Sequence, residues 1–138
     1  MPHYSFGTIK QDVIQKAASI AIGAGLASVI AASPALALDK GSFNYGLGEG
    51  VFSGNCATCH SGGQNIIKAE ATLELDALED NLDGFADAGG DEKGRLAAIK
   101  YQVINGKNAM PAWGQQLKPE EIEAVANYVL FNATTDGW

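Results

Sequence analysis

A chain of 138 residues, 46% apolar and 18% charged, has room for one globular domain and is too hydrophobic to be disordered throughout. Asp and Glu outnumber Lys and Arg by 16 to 9, a formal charge of −7, which excludes a nucleic-acid partner because that would need a basic footprint. The balance suits a protein whose partners present basic patches.

The N-terminus reads as an address rather than as fold. Lys10 and Lys16 precede Ala17 to Ala32, an uncharged run of 16 small and apolar residues, fewer than the about 20 that span a bilayer. Pro34 breaks the run, and Ala35 and Ala37 supply the A-x-A pattern that a signal peptidase reads. Cleavage after Ala37 is expected, giving a targeting peptide, residues 1–37, and a domain, residues 38–138, that works beyond a membrane without a permanent anchor. The alternative is that the segment stays on as an anchor.

Helical periodicity dominates the remainder, so an all-α fold of four to five short helices is expected. Phe43, Leu47 and Val51, with Phe52 beside them, predict a helix running into "NCATCHSGGQN", residues 55–65. Thr72 is placed to cap a second helix, with Glu74 and Asp76 in its first turn and Leu75, Leu78 and Leu82 as its apolar stripe. A third carries Leu96, Ile99 and Val103 and stops at Asn105-Gly106. The last starts at Pro119, with Glu120 and Glu121 in its first turn and Ile122, Val125, Ala126 and Val129 inward. Few helices and long loops make a thin core, which calls for something large and apolar at the centre.

Cys56, Cys59 and His60 admit three readings: a disulfide, a zinc site or a haem. A closed zinc site needs four ligands, and the domain after residue 37 contains two Cys and one His. A redox C-x-x-C belongs beside a βαβ pattern, which is absent. A structural disulfide would close a very small loop and add little stability. C-x-x-C-H as a haem c site uses all three side chains: two thioethers to the vinyl groups and His60 as proximal ligand. It also supplies the missing apolar centre. His60 is the only His and Met110 the only Met after residue 37. Elimination therefore makes Met110, in the loop "KNAMPAW" and stiffened by Pro111, the second axial ligand. Thioether ligation favours ferrous iron and raises the potential. With both axial positions filled there is no open site for substrate, so electron transfer is expected and not catalysis.

"GEGVFSGNCATCHSGGQN", "IKYQVINGKNAMPAWG", "EEIEAVANYVLFNAT" and the closing "DGW" resemble the class I c-type cytochromes, specifically the photosynthetic cytochrome c6 family. The likeness covers nearly all of residues 38–138. It implies a small class I cytochrome c fold around one haem c held by Cys56 and Cys59, with His60 and Met110 axial. It further implies Gly48, Phe52 and Tyr128 at the contact of the terminal helices, and Gln102 beside the haem, tuning its potential. The implied work is shuttling single electrons, as a monomer in the thylakoid lumen, from cytochrome f of the cytochrome bf complex to photosystem I. A lumenal or periplasmic redox sensor, and a donor to a terminal oxidase, are the alternatives. Glu74, Asp76, Glu79, Asp80 and Asp83 are candidates for a steering surface, or for a merely solvated helix face. Two departures stand out. The stretch from His60 to Met110 exceeds the family pattern by about ten residues near 86–95, an excess that loops accommodate cheaply and that is expected to be an exposed flexible loop. Gln116 stands where the family often has an Arg used in docking to photosystem I.

Overall fold

The computed structural model describes residues 40, 41 and 43–138; the expected targeting peptide and its cleavage point lie outside the described residues. No strand occurs among the described residues, which run through five α-helical segments: α1 Tyr45–Val51, α2 Ala57–His60, α3 Leu75–Asn81, α4 Glu92–Asn105 and α5 Pro119–Thr135. A π turn over Phe52–Cys56 joins α1 to α2, so the two read as one helix with a widened middle. The all-α expectation holds.

Several helix ends have a chemical reason. Asn44 caps α1, its side-chain oxygen accepting from Leu47 N at 3.1 Å. Asp91 caps α4 in the same way, through Gly94 N at 2.7 Å. Gly106, with φ of 67°, ends α4 in a conformation that a side chain would resist. Pro119 opens α5, and the Glu121 carboxylate accepts from Lys118 N at 2.8 Å. The expected cap at Thr72 is displaced. Glu74 occupies the cap position of α3, while Thr72 Oγ1 accepts from Glu74 N at 3.4 Å and shapes the approach instead. Phe43 also falls outside its predicted helix, stacking on Tyr45 and Phe131 just ahead of it.

The longest helix, α5, is the wall on which the others lean, packing against both α1 and α4. Its inward residues Ile122, Val125, Ala126, Val129, Leu130 and Ala133 are all buried. The α1 crossing is close because Gly48 carries no side chain. A Cβ there would collide with the Ala124 carbonyl and lie 2.8 Å from Tyr128 Cβ. Around this crossing sits an aromatic cluster: Tyr45 on Tyr128 with centroids 5.0 Å apart, Phe52 on Tyr128 at 5.2 Å and Phe52 on Trp138 at 5.4 Å.

Residues 86–95 are not the exposed loop throughout that the sequence suggests. Ala86–Ala88 make a 3₁₀ turn, Gly89 and Gly90 have positive φ, and from Glu92 onward the segment is already the first turn of α4. Arg95 points inward. Its guanidinium stacks 5.0 Å from the ring centroid of the fully buried Phe85 and pairs with Glu79 of α3. The segment thus staples α3 to α4, which local composition does not reveal.

Two outcomes follow from this packing. Gly48→Ala should cost about 1–3 kcal/mol, the usual range for overpacking a close contact. Gly46→Ala, with open space around its Cβ position, should be neutral or slightly stabilising, as denaturant midpoints will show. Arg95→Ala should cost about 1 kcal/mol through the lost cation–π and ion-pair contacts, and Lys93→Ala, exposed, less than about half of that.

Candidate functional site

The helices enclose a cavity of about 590 Å³, within the size range of small-molecule and cofactor sites. Its floor is apolar, with Phe52, Leu78, Ile99, Val103, Val125 and Val129 among its lining. Cys56, Cys59, His60 and Met110 all line it. The structure thus brings to one cavity the four residues that the sequence marked, from two segments fifty positions apart.

The π turn matters here. Widening the helix at Phe52–Cys56 places the Asn55 amide on Val51 O at 2.9 Å and carries Cys56, Cys59 and His60 to the cavity on one face. Both cysteines are free thiols, and among the described residues no group of three or more His, Cys, Asp and Glu side chains is placed to hold a metal ion. Burial, with Cys59 nearby, pushes the Cys56 thiol up to about 11, so it stays protonated in the ligand-free chain.

His60 is oriented by the backbone. Its Nδ1 lies 3.0 Å from Gln64 O, and because a carbonyl only accepts, Nδ1 carries the proton and Nε2 is left with its lone pair. Burial lowers the pKa of the imidazole, partly opposed by that hydrogen bond, which favours the neutral form a metal requires. Gln64 is held in turn by its side-chain bond to Glu74 at 3.4 Å.

Met110 is presented to the cavity by a tight loop. Lys107 and Met110 exchange backbone hydrogen bonds of 3.1 and 3.0 Å, and Trp113 N and Gly114 N return to Val103 O and Ile104 O at the end of α4. Gly106 allows this fold-back, since a Cβ there would sit 2.8 Å from Ala112 N. Gln102, one turn before the end of α4, donates its amide to Met110 Sδ at 3.9 Å. Gln102, expected beside the haem, thus contacts the Met110 thioether.

A neutral imidazole, a thioether and two thiols facing one apolar cavity fit haem c in size and in donor chemistry. An all-helical chain with this site is a class I c-type cytochrome. The family described as cytochrome C oxidase, cbb3-type, subunit III matches residues 44–129. Cytochrome c6 of Cladophora glomerata is 50% identical over 91 residues, covering 66% of this chain and 91% of the relative. Chloroplastic cytochrome c6 of Chlamydomonas reinhardtii is 42% identical over 127 residues, 92% of this chain and 77% of the relative. The crystal structure of cytochrome c6 from the diatom Phaeodactylum tricornutum superposes with a TM-score of 0.58 at 50% identity, covering 68% of this chain and 98% of that one. The chain belongs to the cytochrome c6 family: it is an electron-transport protein of photosynthesis whose cofactor is one covalent haem c.

Around the cavity mouth the sequence reading missed several features. Ile66 and Ile67 are 69% and 65% exposed, held out by Asn65, whose side-chain oxygen accepts from Ile67 N and Lys68 N at 3.0 Å each. Asn65 in an Asx turn was the available signal. Of the five acidic residues singled out, all are exposed, but Glu79 is paired with Arg95 and Asp83 with Lys107. Among the described residues no ion pair engages Glu74, Asp76 or Asp80.

Proposed function

We propose that this chain carries single electrons from cytochrome f of the cytochrome bf complex to photosystem I in the thylakoid lumen. Cys56 and Cys59 would hold the haem c as thioethers, and His60 and Met110 would ligate its iron. The observation that carries the reading is the convergence of those four side chains on one apolar cavity. Haem c, when bound, supplies a one-electron iron couple.

The chain's own residues do the rest. The buried wall from α4 and α5 excludes water, which holds the dielectric low and makes nearby polar groups effective. Gln64 O fixes the tautomer of His60, and Gln102 fixes and polarises the Met110 thioether. Ile66 and Ile67, with Ala109 and Pro111 exposed across the mouth, form an apolar surface suited to brief docking. Glu74, Asp76 and Asp80 add charge that steers encounters with a basic partner and raises the on-rate more than the affinity. Removal of residues 1–37 after Ala37 would deliver residues 38–138 to the lumen, and among the described residues no helix is long and apolar enough to cross a membrane. Gln116 is exposed and its amide is tied to Ala112 O at 3.1 Å, so the docking charge that an Arg would bring is missing at that position.

Electron transfer from this protein to photosystem I and to a terminal oxidase, measured side by side by flash kinetics, decides the acceptor. Faster reduction of photosystem I supports the reading, and faster reduction of the oxidase replaces it. Met110→His should retain the haem and lower its potential; a fall of about 0.1 V changes the one-electron equilibrium roughly 50-fold. Redox titration and the near-infrared Met–ferric band check the ligand. Reduction of a basic partner should slow as salt rises to physiological strength, where the Debye length is about 8 Å. A flat salt profile would assign docking to the apolar mouth alone.

A further inference from the structure

The charged side chains that line the cavity are opposite in sign to the charge of the chain, although Lys68 pairs with Glu70 and Lys107 with Asp83. Acidic residues outnumber basic ones by 16 to 9 overall, yet among the described residues no Asp or Glu lines the cavity, and apart from His60 the cationic side chains that line it are Lys68 and Lys107. Their side chains are 54% and 38% exposed, which puts them at the mouth.

Both lysines are aimed. They come from different loops, Lys68 from the segment after C-x-x-C-H and Lys107 from the Met110 loop, and both converge on the end of α3. Lys68 Nζ donates to Asn81 Oδ1 at 3.1 Å, and Lys107 Nζ pairs with Asp83 Oδ2 at 2.8 Å. Asn81 is itself fixed, its amide donating to Ala77 O at 3.0 Å and Glu70 O at 3.3 Å. A ligand whose body enters an apolar cavity while its anionic end stays near the rim needs cations at that rim, since a half-buried carboxylate without a partner is costly. In a chain of net charge −7 those cations must be supplied locally.

We propose that Lys68 and Lys107 are the binding residues for the two propionate carboxylates of the haem, and that Asp83 sets how much of the Lys107 charge the haem feels. This rests on the haem-binding reading above. A cation at the rim destabilises the ferric state relative to the ferrous, so removing it lowers the potential. Removing Asp83, which neutralises Lys107, raises it. A merely structural role for the Asp83–Lys107 pair would make loss of either partner act in the same direction.

The test uses the haem-loaded protein. Lys68→Gln and Lys107→Gln should each shift the one-electron equilibrium with a fixed mediator about threefold toward the ferric form, roughly 30 mV at 59 mV per tenfold. Each should also move the propionate bending band in the resonance Raman spectrum. Lys68→Arg and Lys107→Arg should restore both signals, and Asp83→Asn should shift the potential upward. Lys100→Gln, whose partner is Glu123 and which does not line the cavity, should leave both unmoved. Unchanged potential and Raman bands in the two Gln variants overturn the cradle, as does a downward shift in Asp83→Asn. If the unmutated protein carries no haem at all, the functional reading falls with it; a normal haem spectrum with indifferent variants sinks the cradle alone.

Discussion

The structure depends on one constraint: few helices must wrap one large apolar object and grip it at fixed points. Of the described residues, the buried apolar ones lie mainly on α4 and α5 and at the α1–π junction, and Phe52, Leu78, Ile99, Val103, Val125 and Val129 among them line a cavity of about 590 Å³. A core of this kind gains its burial through the cofactor, so the chain must meet it with complementary shape before it can meet it with chemistry. Gly48 is part of that bargain. By letting α1 approach the Ala124 backbone, it brings Phe52 and the C-x-x-C-H turn over the cavity from one side while α5 closes the other.

How much of this was legible beforehand follows from how local each feature is. Pro119 and Gly106 act through their own φ angles, so α5 began and α4 ended where the sequence placed them. Cys56, Cys59 and His60 sit within five residues, and Met110 is found by counting, so the four converging side chains needed no tertiary information. Thr72 misled because its hydroxyl does bond a backbone N–H near the start of α3, in a turn rather than in a cap. The π turn left no trace, since Phe52–Cys56 has the same apolar spacing as an ordinary helix. Arg95 and Phe85 belong together only after the glycine turn at 89–90 reverses the chain, so a run rich in Gly, Asp and Lys read as loop.

Electrostatically the molecule divides its labour. The acidic excess lies on the outside, where water screens it and where it acts over a Debye length on approaching partners. Two of the acidic residues near α3 are already spent on intramolecular pairs, Glu79 with Arg95 and Asp83 with Lys107. The remaining carboxylates, Glu74, Asp76 and Asp80, are the ones free to act at long range. The total of −7 is a sum over the whole chain rather than the charge of this face, where Ile66 and Ile67 are exposed apolar side chains.

One helix links these parts. The last turn of α4 carries Gln102 against the Met110 thioether, and Gly106 then reverses the chain so that Lys107 meets Asp83 while Met110 turns back toward the cavity. The start of the same helix is fixed to α3 by Arg95. A displacement of α4 along its axis would thus move the contact to the Met110 sulfur and Lys107 together, because both hang from the same rigid turn. Residues 86–95 gain a role in that light: by pinning α4 to α3, they hold in register the end of the helix that carries Gln102. A segment remote from the cavity can matter to its chemistry through this mechanical route, without any atom of it reaching the haem.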